Sequence, residues 1–178
     1  MSSCQNDDYS PKPRAYHRIV FPQTNFSQTN ITGCPFVLDI PNYADIQDDT
    51  KASGKCWKNI HFKQFNAQIH LSYYDINPQS SFEQLTEDAR TFAFKHTSKA
   101  SSIDQKKIAI PEHRIYGLEY YIDGNTASNY QFYISDSSKH YLRGALYFNE
   151  KPNLDSIQPV LDFLKKDITK IIHSIRWK

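Results

Sequence analysis

The chain has 178 residues, with 21 Lys and Arg against 19 Asp and Glu for a formal net charge of +2, and it holds 12 Tyr, 11 Phe and 2 Trp but only 5 Gly. That length suits one domain able to bury a core without metal or several disulfides, and the aromatic content excludes a disordered chain. The balanced charge leaves no electrostatic footprint for nucleic acid, and no run approaches the roughly 18 consecutive apolar residues of a membrane helix, so any membrane attachment has to be non-proteinaceous.

Residues 1–13 are polar and carry Pro11 and Pro13, which predicts a flexible tether ahead of a single globular region over 14–178. Cys4 lies too near the edge for a core role, and its readings are a metal ligand, a free thiol or a covalent attachment point. "AYHRIVF" at 15–21 has strand character, and a long connection leads to "CPFVLDIP" at 34–41, which Pro35 and Pro41 mark as an edge or connector. Residues 43–55 read as a polar surface loop ended by Gly54. "CWKNIHFKQF" and "AQIHLSYYDI" then alternate as a hairpin-like pair of strands. Cys34 and Cys56 close a loop of about 22 residues if bonded, a constraint that stabilises by roughly 3 kcal/mol; two buried thiols are the alternative, and an exported context favours the bond.

Ser80 with Glu83 forms a capping box opening a helix in which Phe82, Leu85, Ala89, Phe92 and His96 recur at helical spacing. Lys95, His96 and Lys99 fall in its last turn, where cations suit the dipole. After "KKIAIPE", the runs "RIYGLEYYIDG", "ASNYQFYISDS" and "HYLRGALYFNE" predict a three-stranded antiparallel meander. Ile157, Val160, Leu161, Leu164, Ile168, Ile171 and Ile172 then make the apolar stripe of a second helix, with Pro159 in its first turn. The fold class is α+β: a largely antiparallel sheet with two main helices packed on it.

Signatures of chemistry are sparse. There is no Gly-x-Ser-x-Gly elbow and no Gly-rich phosphate loop, and the three cysteines lack Cys-x-x-Cys spacing, so neither metal nor cofactor is expected. None of the seven histidines stands in a His-x-x-x-His or His-Glu-x-x-His arrangement. His61, His70 and Asp75 would approach one another if their strands pair, but ordinary hydrogen-bonded strand histidines are the favoured reading. "DSSKHYLRG" gathers Asp136, Lys139, His140 and Arg143, yet triad members normally converge from different elements, so a polar turn feeding a strand is preferred. The aromatics of the late strands, Tyr116, Tyr120, Tyr130, Tyr133, Tyr141 and Tyr147 among them, are either half-exposed structural side chains or a partner surface.

"PKPRAYHRI" at 11–19, "CWKNIHF" at 56–62, "FNAQIHLSY" at 65–73, "FKHTSKASSI" at 94–103 and "GNTASNYQFYISDSSKHYLRGALYF" at 124–148 together resemble the gliding-motility lipoprotein family GldD of Bacteroidetes. The resemblance spans nearly the whole chain, with Ala15 and Thr126 as small departures. It implies a non-catalytic, exported envelope lipoprotein required for gliding and tied to type IX secretion, whose partners are other envelope proteins of that machinery. Cys4 matches the acylated first residue of the mature family, after which Gln5 to Pro13 is a spacer, and paired Cys34 and Cys56 suit periplasmic oxidation. Ser2 and Ser3 before Cys4 suit signal cleavage, and two lipid chains would give stable anchorage. The expected location is the outer membrane facing the periplasm. The cell surface is the alternative, because "QNDD" is similar to a surface-export signal. Arg14, Trp57, His70, His96, Lys139, His140 and Arg143 are the expected partner-binding residues. The element order is also similar to the Mog1/PsbP-type sandwich. The rival functions are an envelope hydrolase using His70, His140 and Asp136, and a carbohydrate-binding module using exposed rings.

Overall fold

The computed structural model of the protein describes residues 18–50 and 54–178. In chain order they form β1 (Phe26–Asn30), β2 (Phe36–Pro41), β3 (Asp45–Asp48), β4 (Lys58–Phe62), β5 (Ala67–Asp75) and helix α1 (Phe82–Phe94). There follow β6 (Ala100–Ile110), β7 (Ile115–Gly124), β8 (Tyr130–Ser135), β9 (His140–Phe148), helix α2 (Leu154–Ser174) and β10 (Arg176–Trp177). Seven strands make one antiparallel sheet in the order β3-β4-β5-β9-β8-β7-β6, and β1-β2-β10 make a second.

The two-residue period of the strands decides what each face meets. Along β5, Ala67, Ile69, Leu71 and Tyr73 are buried while Gln68, His70, Ser72 and Tyr74 are only partly covered. The buried set joins Ile60, Phe62, Phe132, Leu142 and Leu146 on an inner face. That face packs against Phe36, Leu38 and Ile40 of β2 and against Leu161, Leu164, Ile168, Ile171 and Ile172 of α2. Burying each such aliphatic side chain contributes about 1.5–3 kcal/mol. A smaller core on the outer face joins Leu85, Ala89 and Ala93 of α1 to Tyr120, Ile122, Tyr133 and Tyr141. All six residues of β8 are buried because this strand is covered on both sides. Gly144 in β9 is required by this packing, since a Cβ there would collide with the Phe132 ring.

Cys34 and Cys56 are joined by a disulfide with Cα atoms 5.4 Å apart, linking the turn before β2 to the turn before β4 and so tying one sheet to the other.

The α+β class, the antiparallel meander and the two helices stand as the sequence predicts. Several details differ. Residues 18–21 are not in a strand, and β1 lies instead in the expected connection, where it pairs with β2 along a solvent-washed edge. β2 is therefore a central strand; its two prolines fall before it and at its last residue, where no ladder bond is lost. β3 occupies part of the expected surface loop, again as a polar edge strand. The N-cap of α1 is Ser81, whose side chain accepts from the Gln84 N–H at 3.2 Å, in place of Ser80. α1 ends at Phe94, so Lys95, His96 and Lys99 lie in the turn beyond it. Pro159 lies inside α2, one turn later than expected.

Candidate functional site

α1 crosses only part of the outer face of the large sheet. The register sets Ser72 opposite Arg143, His70 opposite Ala145 and Gln68 opposite Tyr147, which places these side chains beside the helix on the uncovered part. His70 is partly exposed, meets the Tyr147 ring edge-on at 5.2 Å between centroids, shares a 3.0 Å hydrogen bond with Gln68 and lies 3.9 Å from an Asp49 carboxylate oxygen. At the rim, Trp57 donates Nε1–H to the Tyr73 carbonyl at 3.2 Å and sets its ring against Tyr74.

Arg143 holds the centre of this surface. Its guanidinium lies 4.6 Å from the centre of the Phe92 ring of α1, and Nη2 donates to Gln131 Oε1 at 2.6 Å. Burial lowers its pKa, opposed by the neighbouring hydroxyls of Tyr147, Tyr141 and Tyr74. His96, just past α1, has its pKa lowered, first by burial and then by the Arg143 charge. Lys95 Nζ lies 4.7 Å from the centre of the same Phe92 ring. A cleft of about 230 Å³ between α1 and β5–β9, lined by Tyr74, Gln84, Asp88, Phe92, Tyr141 and Arg143 among others, opens over the guanidinium.

Four of the residues singled out in the sequence, Trp57, His70, His96 and Arg143, thus share one side of the large sheet. The other two described ones do not. Lys139 is exposed in the turn between β8 and β9. His140 belongs to the inner side, where Nδ1 meets the Tyr73 hydroxyl at 2.8 Å and the ring stacks on Trp177. Cys4 and Arg14 lie outside the described residues.

The proposed hydrolase set comes apart for the same reason. His70 and His140 are separated by the alternation of β5 and β9, and Asp136 uses its carboxylate on the turn backbone, accepting from the Ser138, Lys139 and His140 N–H groups at 2.8–3.0 Å. His61 faces Gln68 across the β4–β5 ladder and Asn59 faces His70, so the two histidines are diagonal neighbours. Two deeply buried carboxylates exist elsewhere, but both are committed. Glu119 accepts from Tyr130 at 2.6 Å and Tyr121 at 3.0 Å, and Asp167 accepts from Tyr43 at 2.6 Å and Thr24 at 3.1 Å. Among the described residues, no group of three or more His, Cys, Asp or Glu is placed to hold a metal ion.

Of the two readings of the late-strand aromatics, the structure favours structural side chains, most of them more buried than half-exposed. Tyr120, Tyr133 and Tyr141 are at most 8% exposed because α1 covers that part of the outer face, Tyr130 is 1% exposed in the inner core, and of the late-strand tyrosines Tyr116 is the well exposed one. What the sequence concealed was Phe92. It lies within the helical stripe, yet Leu85, Ala89 and Ala93 are the residues buried from α1, while Phe92 is 42% exposed on the flank above Arg143.

The family model described as gliding motility lipoprotein GldD matches residues 6–177. The chain belongs to the GldD family. Membership makes it a gliding motility lipoprotein, hence a lipid-anchored protein of the cell envelope in a family not known for enzymes. No curated protein matches this GldD chain. Among solved structures, the solution structure of cyanobacterial PsbP (CyanoP) from Synechocystis sp. PCC 6803 superposes with a TM-score of 0.50 at 11% identity, covering 95% of this chain and 100% of that one. At that identity the likeness concerns the fold alone, an α/β sandwich with helices on antiparallel sheets.

Proposed function

We propose that this GldD protein is a non-catalytic docking component, anchored through lipid on Cys4 and presenting its globular part to other envelope proteins of the gliding and type IX secretion machinery. The outer membrane facing the periplasm is the location this reading takes. The observation that carries it is the half-covered outer face. Trp57, His70, Tyr147, Phe92 and Arg143 form a contiguous, partly exposed aromatic and polar surface, of the composition found at interface centres. The three acid-base groups of the rival hydrolase reading, His70, His140 and Asp136, lie apart, which favours binding over turnover. Arg14 is a further contact residue in this reading, and Lys139 forms a separate exposed contact.

The test is recovery of the acylated protein with its partners from envelope extracts. Enrichment of a secretion or motility component is expected, and it should fall at least about tenfold for the Trp57→Ala/His70→Ala double variant, as losing interface anchors implies. Recovery of no such component would overturn the proposal. Replacing Cys4 with Ser in the exported precursor should move the protein from the membrane fraction to the soluble one, read by fractionation.

A further inference from the structure

Arg143 is partly buried beside α1, yet among the described residues no carboxylate lies within ion-pairing distance of it. Its neighbours are a ring, an amide oxygen and tyrosine hydroxyls, and the charge is held at a cost in desolvation. Gln131, 2% exposed, spends its oxygen on Arg143 and leaves Nε2 buried without an acceptor. Lys95 brings a second cation to the Phe92 ring, 4.7 Å from its centre.

We infer that the cleft over Arg143 receives a carboxylate from an acidic segment of a partner protein. The inference rests on the docking reading above. The guanidinium fork suits a carboxylate held by two N–H groups, and the ring and aliphatic walls from Phe92, Leu85, Ala89 and Tyr74 suit the methylene stem that carries it. A volume of about 230 Å³ holds a side chain of that size. Asp88 selects between anions. It lines the same cleft, tied to Gln84 Nε2 at 2.9 Å, and its charge repels a phosphate carrying nearly two negative charges more than a carboxylate carrying one.

The ¹⁵N-labelled full chain titrated with the blocked pentapeptide Ala-Ala-Glu-Ala-Ala tests this, read at the Arg143 side-chain N–H and the Phe92 amide. Saturable binding with Kd on the order of millimolar is expected, and about tenfold weaker binding for the peptide with Gln in place of Glu, the factor that one charge-assisted contact implies. Arg143→Gln should abolish the difference between the two peptides. Should that variant fail to fold, Lys95→Gln, an exposed cation on the Phe92 ring, should weaken the Glu peptide about two- to threefold, as loss of one solvated charge implies. Equal binding of the two peptides, tighter binding of inorganic phosphate or free acetate than of the Glu peptide, or an unchanged titration in the variants would overturn the inference. Peptide binding without recovery of any envelope partner removes the docking reading and leaves the cleft's chemistry intact; partner recovery that survives Arg143→Gln does the reverse.

Discussion

Asp136 shows how one carboxylate shapes the end of the large sheet. Burial alone would raise its pKa, but the backbone N–H groups of His140, Lys139 and Ser138 and the Ser138 hydroxyl all donate to it and hold it at about 2. The unfolded value is near 3.9, so the stabilisation is present above about pH 4 and is lost as the pH falls through about 2. Asp136→Asn should cost roughly 2 kcal/mol at neutral pH, with the gap from the parent narrowing steadily below pH 4 in urea unfolding. The sequence disclosed this residue's role correctly as turn chemistry, because an Asp followed by two serines favours its own backbone. Arg143 was visible as a functional candidate. Its setting was not, since the contact with Phe92 depends on the rotation of α1 about its axis, and one residue's turn moves a side chain by about a quarter of the helix circumference.

Among the elements, α2 and the β4–β5 pair could be read in advance because their apolar periods are long and unbroken. β1 and β3 could not. "FSQTN" and "DIQD" are edge strands with one neighbour each and little apolar surface, so pairing with β2 and β4, not intrinsic pattern, makes them strands. The start of α1 shifted by one residue because two consecutive serines offer equivalent caps, and only Ser81 reaches the Gln84 N–H. Ser81→Ala should destabilise by about 1 kcal/mol in thermal or urea unfolding, while Ser80→Ala should have a much smaller effect. Reduction of the Cys34–Cys56 bond should cost about 3 kcal/mol, seen as a lower unfolding midpoint on adding reductant and absent from a Cys34→Ser/Cys56→Ser double variant.

For the molecule as a whole, the layering was legible and the strand order was not. Alternation along each strand announces one buried face, but nothing local announces that β5 lies against β9, since the partners are about 70 residues apart. The two sheets share one core, and the two tryptophans report on them separately, Trp57 beside β4 and Trp177 in β10. Single-tryptophan variants, Trp57→Phe and Trp177→Phe, should therefore unfold with coincident midpoints by fluorescence and circular dichroism. Split midpoints would show the smaller sheet melting alone. The closure of that smaller sheet also sets a clock. β2 gains β10 as its second neighbour, and the Ser174 hydroxyl as an acceptor for the Asp39 N–H, only after 135 further residues. At synthesis rates of about 5–20 residues per second that interval is roughly 7 to 27 s. Throughout it one edge of β2 is open to any passing strand, so a newly made chain depends on being shielded until it is delivered.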